Sequence, residues 1–232
     1  MSYKIKFLNL EAEIDVKGAY LDYLKYEDDY VIYPKTIFEV NGKEKVRGGS
    51  HFCFPLFGDN TKYNLNQHGF AREVEWGVEE NEENYLKLRL TPSIKEFEDL
   101  VLIAEFLLSE NEFTTTLIIK NIGENDIEIS PALHPYFKFY NKENIKIDGE
   151  KLSYSDIELN DTVFTGDVKS LDTGKYLLEF SQENLPKYAI WSDLLDEYIC
   201  VEPTFNLRNE EYYNLKAGDR EVFKSVIKIN KK

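Results

Sequence analysis

The chain has 232 residues, 42% of them hydrophobic and 31% charged, a balance that suits a folded globular protein and is too apolar for a disordered one. Its 43 acidic and 28 basic side chains leave a net charge of −15, which argues against sequence-independent nucleic-acid binding and against charge-driven docking on anionic membranes. No apolar run reaches the roughly 18 residues of a membrane-spanning helix. The opening MSYKIKFLNLEAEIDV takes up acids where a signal peptide has its apolar segment, so a cytoplasmic protein is expected.

From the N-terminus onward the dominant hydrophobic period is two. Tyr3, Ile5 and Phe7 alternate with lysines, and Leu86, Leu88 and Leu90 alternate with polar neighbours. Val101 to Leu108 and Phe113 to Ile119 are apolar, β-branched runs joined by LSENEF, which reads as a hairpin turn. Tyr176 to Phe180, Tyr188 to Trp191, Tyr198 to Val201 and Val222 to Ile229 complete a series of short strands. Turn residues such as Asn41-Gly42, Gly48-Gly49, Gly58-Asp59-Asn60 and Asp148-Gly149 punctuate it. Ser93 to Asp99 and Leu194 to Tyr198 are the helical candidates, each of a turn or two. The acidic run at 79–84 reads as a solvated hairpin tip. With no βαβ alternation, no linker and no repeat, the expectation is one antiparallel all-β sandwich over residues 1–232.

Chemistry-bearing residues are few. Cys53 and Cys200 read as buried thiols in a reducing compartment, and without a CxxC or a second Cys/His pair no zinc site is expected. The Asn160-Asp161-Thr162 sequon is a chance match in a chain that is not secreted. His51, His68 and His134 lie 17 and 66 residues apart with no i,i+4 pair, so no metal motif is legible. His51 lies in RGGSHFCFPLFG, His68 in QHGFAR and His134 in PALHPYF. A histidine among aromatics is ordinarily a hydrogen-bonded core residue, a reading that applies most strongly to His51. Glu202 closes the apolar strand ICVEP: facing solvent it is inert, but facing inward it becomes a general-base candidate because burial raises its pKa. Arg47 and Arg72 are by default surface ion-pair residues, and Trp76 and Trp191 core aromatics.

Taken together, RGGSHFCFPLFG, QHGFAR, LHPYF and CVEP, with Tyr63…Gln67-His68 and Leu215…Gly218-Asp219, resemble the aldose 1-epimerase (galactose mutarotase-like) superfamily, in order and over about residues 14–229. The resemblance implies a large antiparallel β-sandwich with at most short helices. It implies Glu202 as general base on the C1 hydroxyl of a sugar and His134 as general acid on the ring oxygen. It also implies His68, Arg72 and Arg47 as substrate-binding residues. Asp193 is the best match to a further sugar-binding acid, although a turn aspartate is an equal reading. The chain is short for the superfamily, which points to trimmed loops or edge strands.

The function so implied is anomer interconversion of an aldohexose, with no cofactor and no metal, in a monomer or weak homodimer whose partner is a small sugar or sugar phosphate. A hexose-6-phosphate 1-epimerase, with Arg47 and Arg72 meeting the phosphate, and a non-catalytic sugar-binding or sensor protein are the alternatives.

Overall fold

The computed structural model describes residues 1–40, 42–151, 162–193, 197–206 and 211–232. Asn160 and Asp161 of the sequon, and Leu194 to Asp196 of the second helical candidate, lie outside them. Tyr198, the last residue of that candidate, opens a strand instead. The first helical candidate shrinks to a single 3-10 turn at Lys95–Phe97.

Two large antiparallel sheets, of ten and nine strands among the described residues, carry the fold. Each expected strand is present and slightly longer than its apolar run. Leu100–Ser109 and Glu112–Asn121 pair over ten registered positions through the turn at Glu110 and Asn111. Arg220–Lys231 then adds beside Glu112–Asn121. The acidic run forms the exposed strand Gly77–Asn81 and its turn into Tyr85–Leu90, at the edge of the nine-stranded sheet. Strands at Leu10–Asp15, Tyr20–Tyr26 and Asp29–Ile32 extend the ten-stranded sheet from the Ser2–Phe7 strand. In Leu10–Asp15 the cause is plain alternation: Leu10, Ala12 and Ile14 are buried while Glu11, Glu13 and Asp15 are partly exposed.

The inner faces of the two sheets meet in one apolar cluster running from Ile5 to Ile229. Phe52 reaches Phe106 across the sandwich with ring centroids 6.1 Å apart, and Phe137 reaches Phe180 at 5.4 Å. Along the strand Tyr198–Thr204, Ile199 and Val201 point into this core. Period two then sends Cys200 and Glu202 to the other face of the ten-stranded sheet. The site lies on that outer face. Cys53 and Cys200 are free, buried thiols.

Candidate active site

Three segments stand side by side toward one end of the ten-stranded sheet, where Phe52–Cys53 is the last strand in the order. Ala132–Leu133 pairs on one side with Phe52–Cys53 (Ala132 opposite Cys53, Leu133 opposite Phe52) and on the other with Tyr198–Thr204 (Ala132 opposite Thr204). Beyond a short interruption, Tyr136–Lys138 resumes the second pairing with Tyr136 opposite Cys200. The interruption falls at Pro135, which has no N–H to give to a ladder. Continuing either register places His134 opposite both His51 and Glu202. The His134 N–H donates to the His51 carbonyl at 2.9 Å, and the His51 and His134 rings lie 4.8 Å apart. His51, His134 and Glu202 thus form one row across three strands, on one face, at the spacing of directly opposed residues.

This row forms the floor of a cavity of about 820 Å³, within the range of small-molecule sites. His51, His134 and Glu202 are each less than a tenth exposed. Glu202 Oε2 lies 3.4 Å from His134 Nε2. Neither that oxygen nor His134 Nδ1 has a hydrogen-bond partner among the described residues. Burial pushes the Glu202 carboxyl well above the usual carboxylate range. Burial, helped by the charges of His68 and Arg72, holds the His134 imidazole well below the usual histidine value. His51 moves the same way, chiefly through burial.

His68 enters from the side on a tightly constrained loop. It has a positive φ of 65°, its carbonyl accepts the Phe54 N–H, and its own N–H donates to the Gly58 carbonyl at 2.7 Å. Gly69 follows at φ 74°, and a Cβ there would lie 1.9 Å from the Phe54 carbonyl oxygen, so only glycine fits. The Gly58 N–H donates to His68 Nδ1 at 3.2 Å. That acceptor role assigns the His68 proton to Nε2. Burial, with the Arg72 charge adding, takes His68 down to about 3. His68 is therefore a neutral N–H donor and not a base at physiological pH.

Arg72 donates from Nη2 to the Gln67 carbonyl at 2.9 Å, and its Nη1 lies 3.4 Å from His51 Nε2. Arg47 approaches from the opposite side, at the end of the hairpin Thr36–Val40/Lys43–Arg47. Gly48 follows at φ 82°, where a Cβ would lie 2.2 Å from the Pro34 carbonyl oxygen. The Arg47 fork binds the Asp193 carboxylate, with Nε at 2.9 Å and Nη2 at 2.5 Å from Oδ2, and its guanidinium lies 5.4 Å from the Trp191 ring. Tyr198 also donates to Asp193.

Five of the six site residues expected from sequence, Arg47, His68, Arg72, His134 and Glu202, line one cavity. Asp193 does not; it stands behind Arg47, which with Tyr198 keeps its carboxyl below the ordinary aspartate value despite burial. Of the two readings of Asp193, sugar contact and turn aspartate, the structure decides neither and shows only that its carboxylate forms an ion pair with Arg47. His51, expected as a core histidine, lines the cavity instead. Its sequence signal was the alternation with Phe52: a neighbour pointing into the core sends His51 to the other face. Lys17, Lys35 and Lys45 also line the cavity, which no motif announced.

The two-sheet antiparallel sandwich is the fold of the galactose mutarotase-like proteins. The solved structures agree on the fold. A galactose mutarotase related enzyme of Lactobacillus acidophilus superposes with a TM-score of 0.81 at 19% identity, over 99% of this chain and 97% of that one. A galactose mutarotase-like protein of Lactobacillus casei gives 0.83 at 14% identity, over 99% and 100%. The aldose 1-epimerase family model matches residues 8–193, and the chain belongs to that family. Among curated proteins, a "Putative glucose-6-phosphate 1-epimerase" of Salmonella typhimurium is 29% identical over 149 residues, 60% of this chain and 49% of that protein. One of the same name from Cenchrus ciliaris is 30% identical over 171 residues, 64% of this chain and 50% of its own length. The chain therefore spans about half the length of the curated relatives it matches.

The Gly69 contact gives a direct test of the loop that carries His68. Gly69→Ala is expected to destabilise the fold by about 1–3 kcal/mol, read from chemical denaturation. A variant as stable as the parent would show that the loop does not depend on that close approach.

Proposed function

We propose that the protein is an aldose 1-epimerase, interconverting the α and β anomers of an aldohexose by opening and reclosing its ring. The observation that carries this reading is the Glu202–His134 pair, aligned by sheet register and facing one cavity. Ring opening removes a proton from the C1 hydroxyl and delivers one to the ring oxygen. Rotation about C1–C2 exposes the other face of the aldehyde, and reclosure runs the two transfers backwards. Hydronium and hydroxide are too scarce near neutral pH to do this quickly, so two placed groups must.

The opposed pKa directions suit that task. With Glu202 raised and His134 lowered, both chiefly by burial, the two shifts move the groups in opposite directions and favour one shared proton over two or none. Burial favours a neutral carboxyl beside a neutral imidazole. Moving that proton to the imidazole gives a carboxylate base and an imidazolium acid with no change in net charge or proton count. The His68 Nε2–H supplies a neutral donor beside the pair, and the Trp191 ring offers an apolar surface for a sugar face.

Within this activity, the cavity charge favours a phosphorylated hexose. In a chain of net charge −15, five cationic side chains line the cavity against two acidic ones, Glu73 and Glu202. Arg47 is already engaged by Asp193, and Lys35 pairs with Asp15 and Asp22. Lys17, Lys45 and Arg72 have no carboxylate partner among the described residues, which leaves them able to meet a phosphate. The names of the curated relatives point the same way.

Glu202→Gln should lower the rate of anomer exchange by about 10²- to 10⁴-fold with the fold intact, measured by polarimetry or NMR exchange. The pH–rate profile should be a bell reporting the pair as a unit. Activity is lost on the acid side when the pair gains a second proton, below the ordinary histidine value, because burial resists imidazolium. It is lost on the alkaline side when the last proton leaves, above the ordinary carboxylate value. Full activity in Glu202→Gln would end the assignment, and saturable sugar binding without acceleration would make the protein a sugar binder.

Run side by side, glucose 6-phosphate should be turned over with a higher kcat/KM than glucose, and inorganic phosphate should compete. Lys17→Gln should raise KM for the phosphate ester about tenfold and leave that for glucose unchanged. Equal handling of both sugars by the parent would return the substrate to a free aldohexose.

A further inference from the structure

Cys200 plays no part in the acid/base chemistry, yet it stands beside it. It lies two residues before Glu202 on the same strand and therefore on the same face, opposite Tyr136 in the next row of the sheet. One ligating atom each from His134, Cys200 and Glu202 lies within 4.8 Å of the other two. All three side chains are at least nine-tenths buried, and Glu202 Oε2 and His134 Nδ1 have no hydrogen-bond partner among the described residues. His134 and Glu202 line the cavity, which gives an ion a way in.

We propose that His134, Cys200 and Glu202 form a site for a thiophilic divalent cation of the Zn²⁺ class, and that its occupation switches off anomer exchange. The donor set of one imidazole nitrogen, one sulfur and one carboxylate oxygen suits zinc and its thiophilic relatives, not Mg²⁺ or Ca²⁺, which take oxygen ligands. Tetrahedral zinc with the usual bond lengths holds its donors about 3.3–3.6 Å apart. The Glu202–His134 contact already has that spacing at 3.4 Å. Rotation of the carboxylate and the imidazole closes the remaining gap to the sulfur. The thiol ligates as thiolate, so its proton leaves to solvent, and the fourth coordination position faces the cavity. A bound cation occupies the lone pairs that the proton transfers need. Histidine spacing concealed this site because its three donors come from one interrupted strand and one continuous strand 66 residues further along the chain (Cys200 against His134).

The binding half of the proposal stands on donor geometry alone; the inhibitory half rests on the epimerase reading. The test uses the full chain with Co²⁺ and Zn²⁺ as probes. One Co²⁺ per chain should bind with a near-ultraviolet thiolate charge-transfer band, absent in Cys200→Ser. Zn²⁺ should inhibit anomer exchange reversibly, with relief by a chelator, and Mg²⁺ should have no effect. Cys200→Ser should keep basal turnover and weaken zinc binding by at least about tenfold, the loss that removal of even an outer partner causes. Cys200→Ala provides a second variant if the serine variant folds poorly. Absence of stoichiometric binding in the parent, or a band that persists without Cys200, would overturn the site. Binding without inhibition of an active parent would overturn the switch. The band in a parent with no exchange activity would uphold the site and overturn the epimerase reading instead.

Discussion

The whole site depends on antiparallel register. Three strands that pair at Ala132–Cys53 and at Ala132–Thr204 necessarily bring residues 51, 134 and 202 into one row. A slip of one residue in any of them would turn its contribution into the apolar core and drive a core residue such as Phe52 or Val201 out to the cavity. The core is thus the device that fixes the chemistry: the cost of exposing Phe52, Leu133, Phe137, Ile199 and Val201 specifies the register, and the register aims His51, His134 and Glu202. Pro135 adds one local feature. By interrupting the ladder at His134 it relieves that residue of regular strand pairing on one side, next to Glu202.

Electrostatically, the chain separates its charges by location. Acidic side chains dominate the total, but the cavity is lined mainly by cations. Several lysines elsewhere are neutralised by surface carboxylates, as in the Lys87–Glu79 and Lys6–Glu11 pairs, and such exposed contacts contribute little. Around the cavity Asp193 holds Arg47, and among the described residues Arg72 has no such partner. The three histidines share one small buried volume, where the charge of any one is opposed by burial and by the neighbouring cations. Only the pair that includes Glu202 can hold a proton without creating net charge. That is the physical reason the proposed couple is a carboxylate and an imidazole, and not two imidazoles.

How much of this was legible in the sequence differs by kind of information. Strand identity was, because period-two alternation is a local signal; Tyr85–Leu90 and Glu112–Asn121 needed nothing else. His68, Arg72, His134 and Glu202 were legible as motifs, since each sits in a short segment whose neighbours (Gly69, Pro135, Pro203) are set by local backbone demands. His51 was misread because aromatic neighbours suggest a core residue, whereas they show only that the adjacent position is in the core. Asp193 was left between a sugar contact and a turn aspartate because no local pattern reveals that Arg47, far away in the chain, claims its carboxylate. Lys17, Lys35 and Lys45 carry no motif at all; they reach the cavity through tertiary packing alone. The same holds for Cys200, whose meaning comes from a register and not from a spacing.

The arrangement also carries a standing cost that folding alone would not retain. A buried carboxyl oxygen and a buried imidazole nitrogen without hydrogen-bond partners among the described residues each oppose folding, because water satisfies them in the unfolded chain. An apolar pair at positions 134 and 202 would extend the surface already formed by Ala132, Ala189 and Cys53 and remove that penalty. The pair is tolerated because its sheet is held from elsewhere: Tyr198–Thr204 pairs with Lys187–Trp191 over five positions, and the continuous core beneath fixes the row whether or not its polar groups are satisfied. The rigidity that makes the cost bearable also makes the site useful. The Glu202 and His134 side chains are held beside each other at the cavity floor by that backbone, so only side-chain torsions need adjust to what enters.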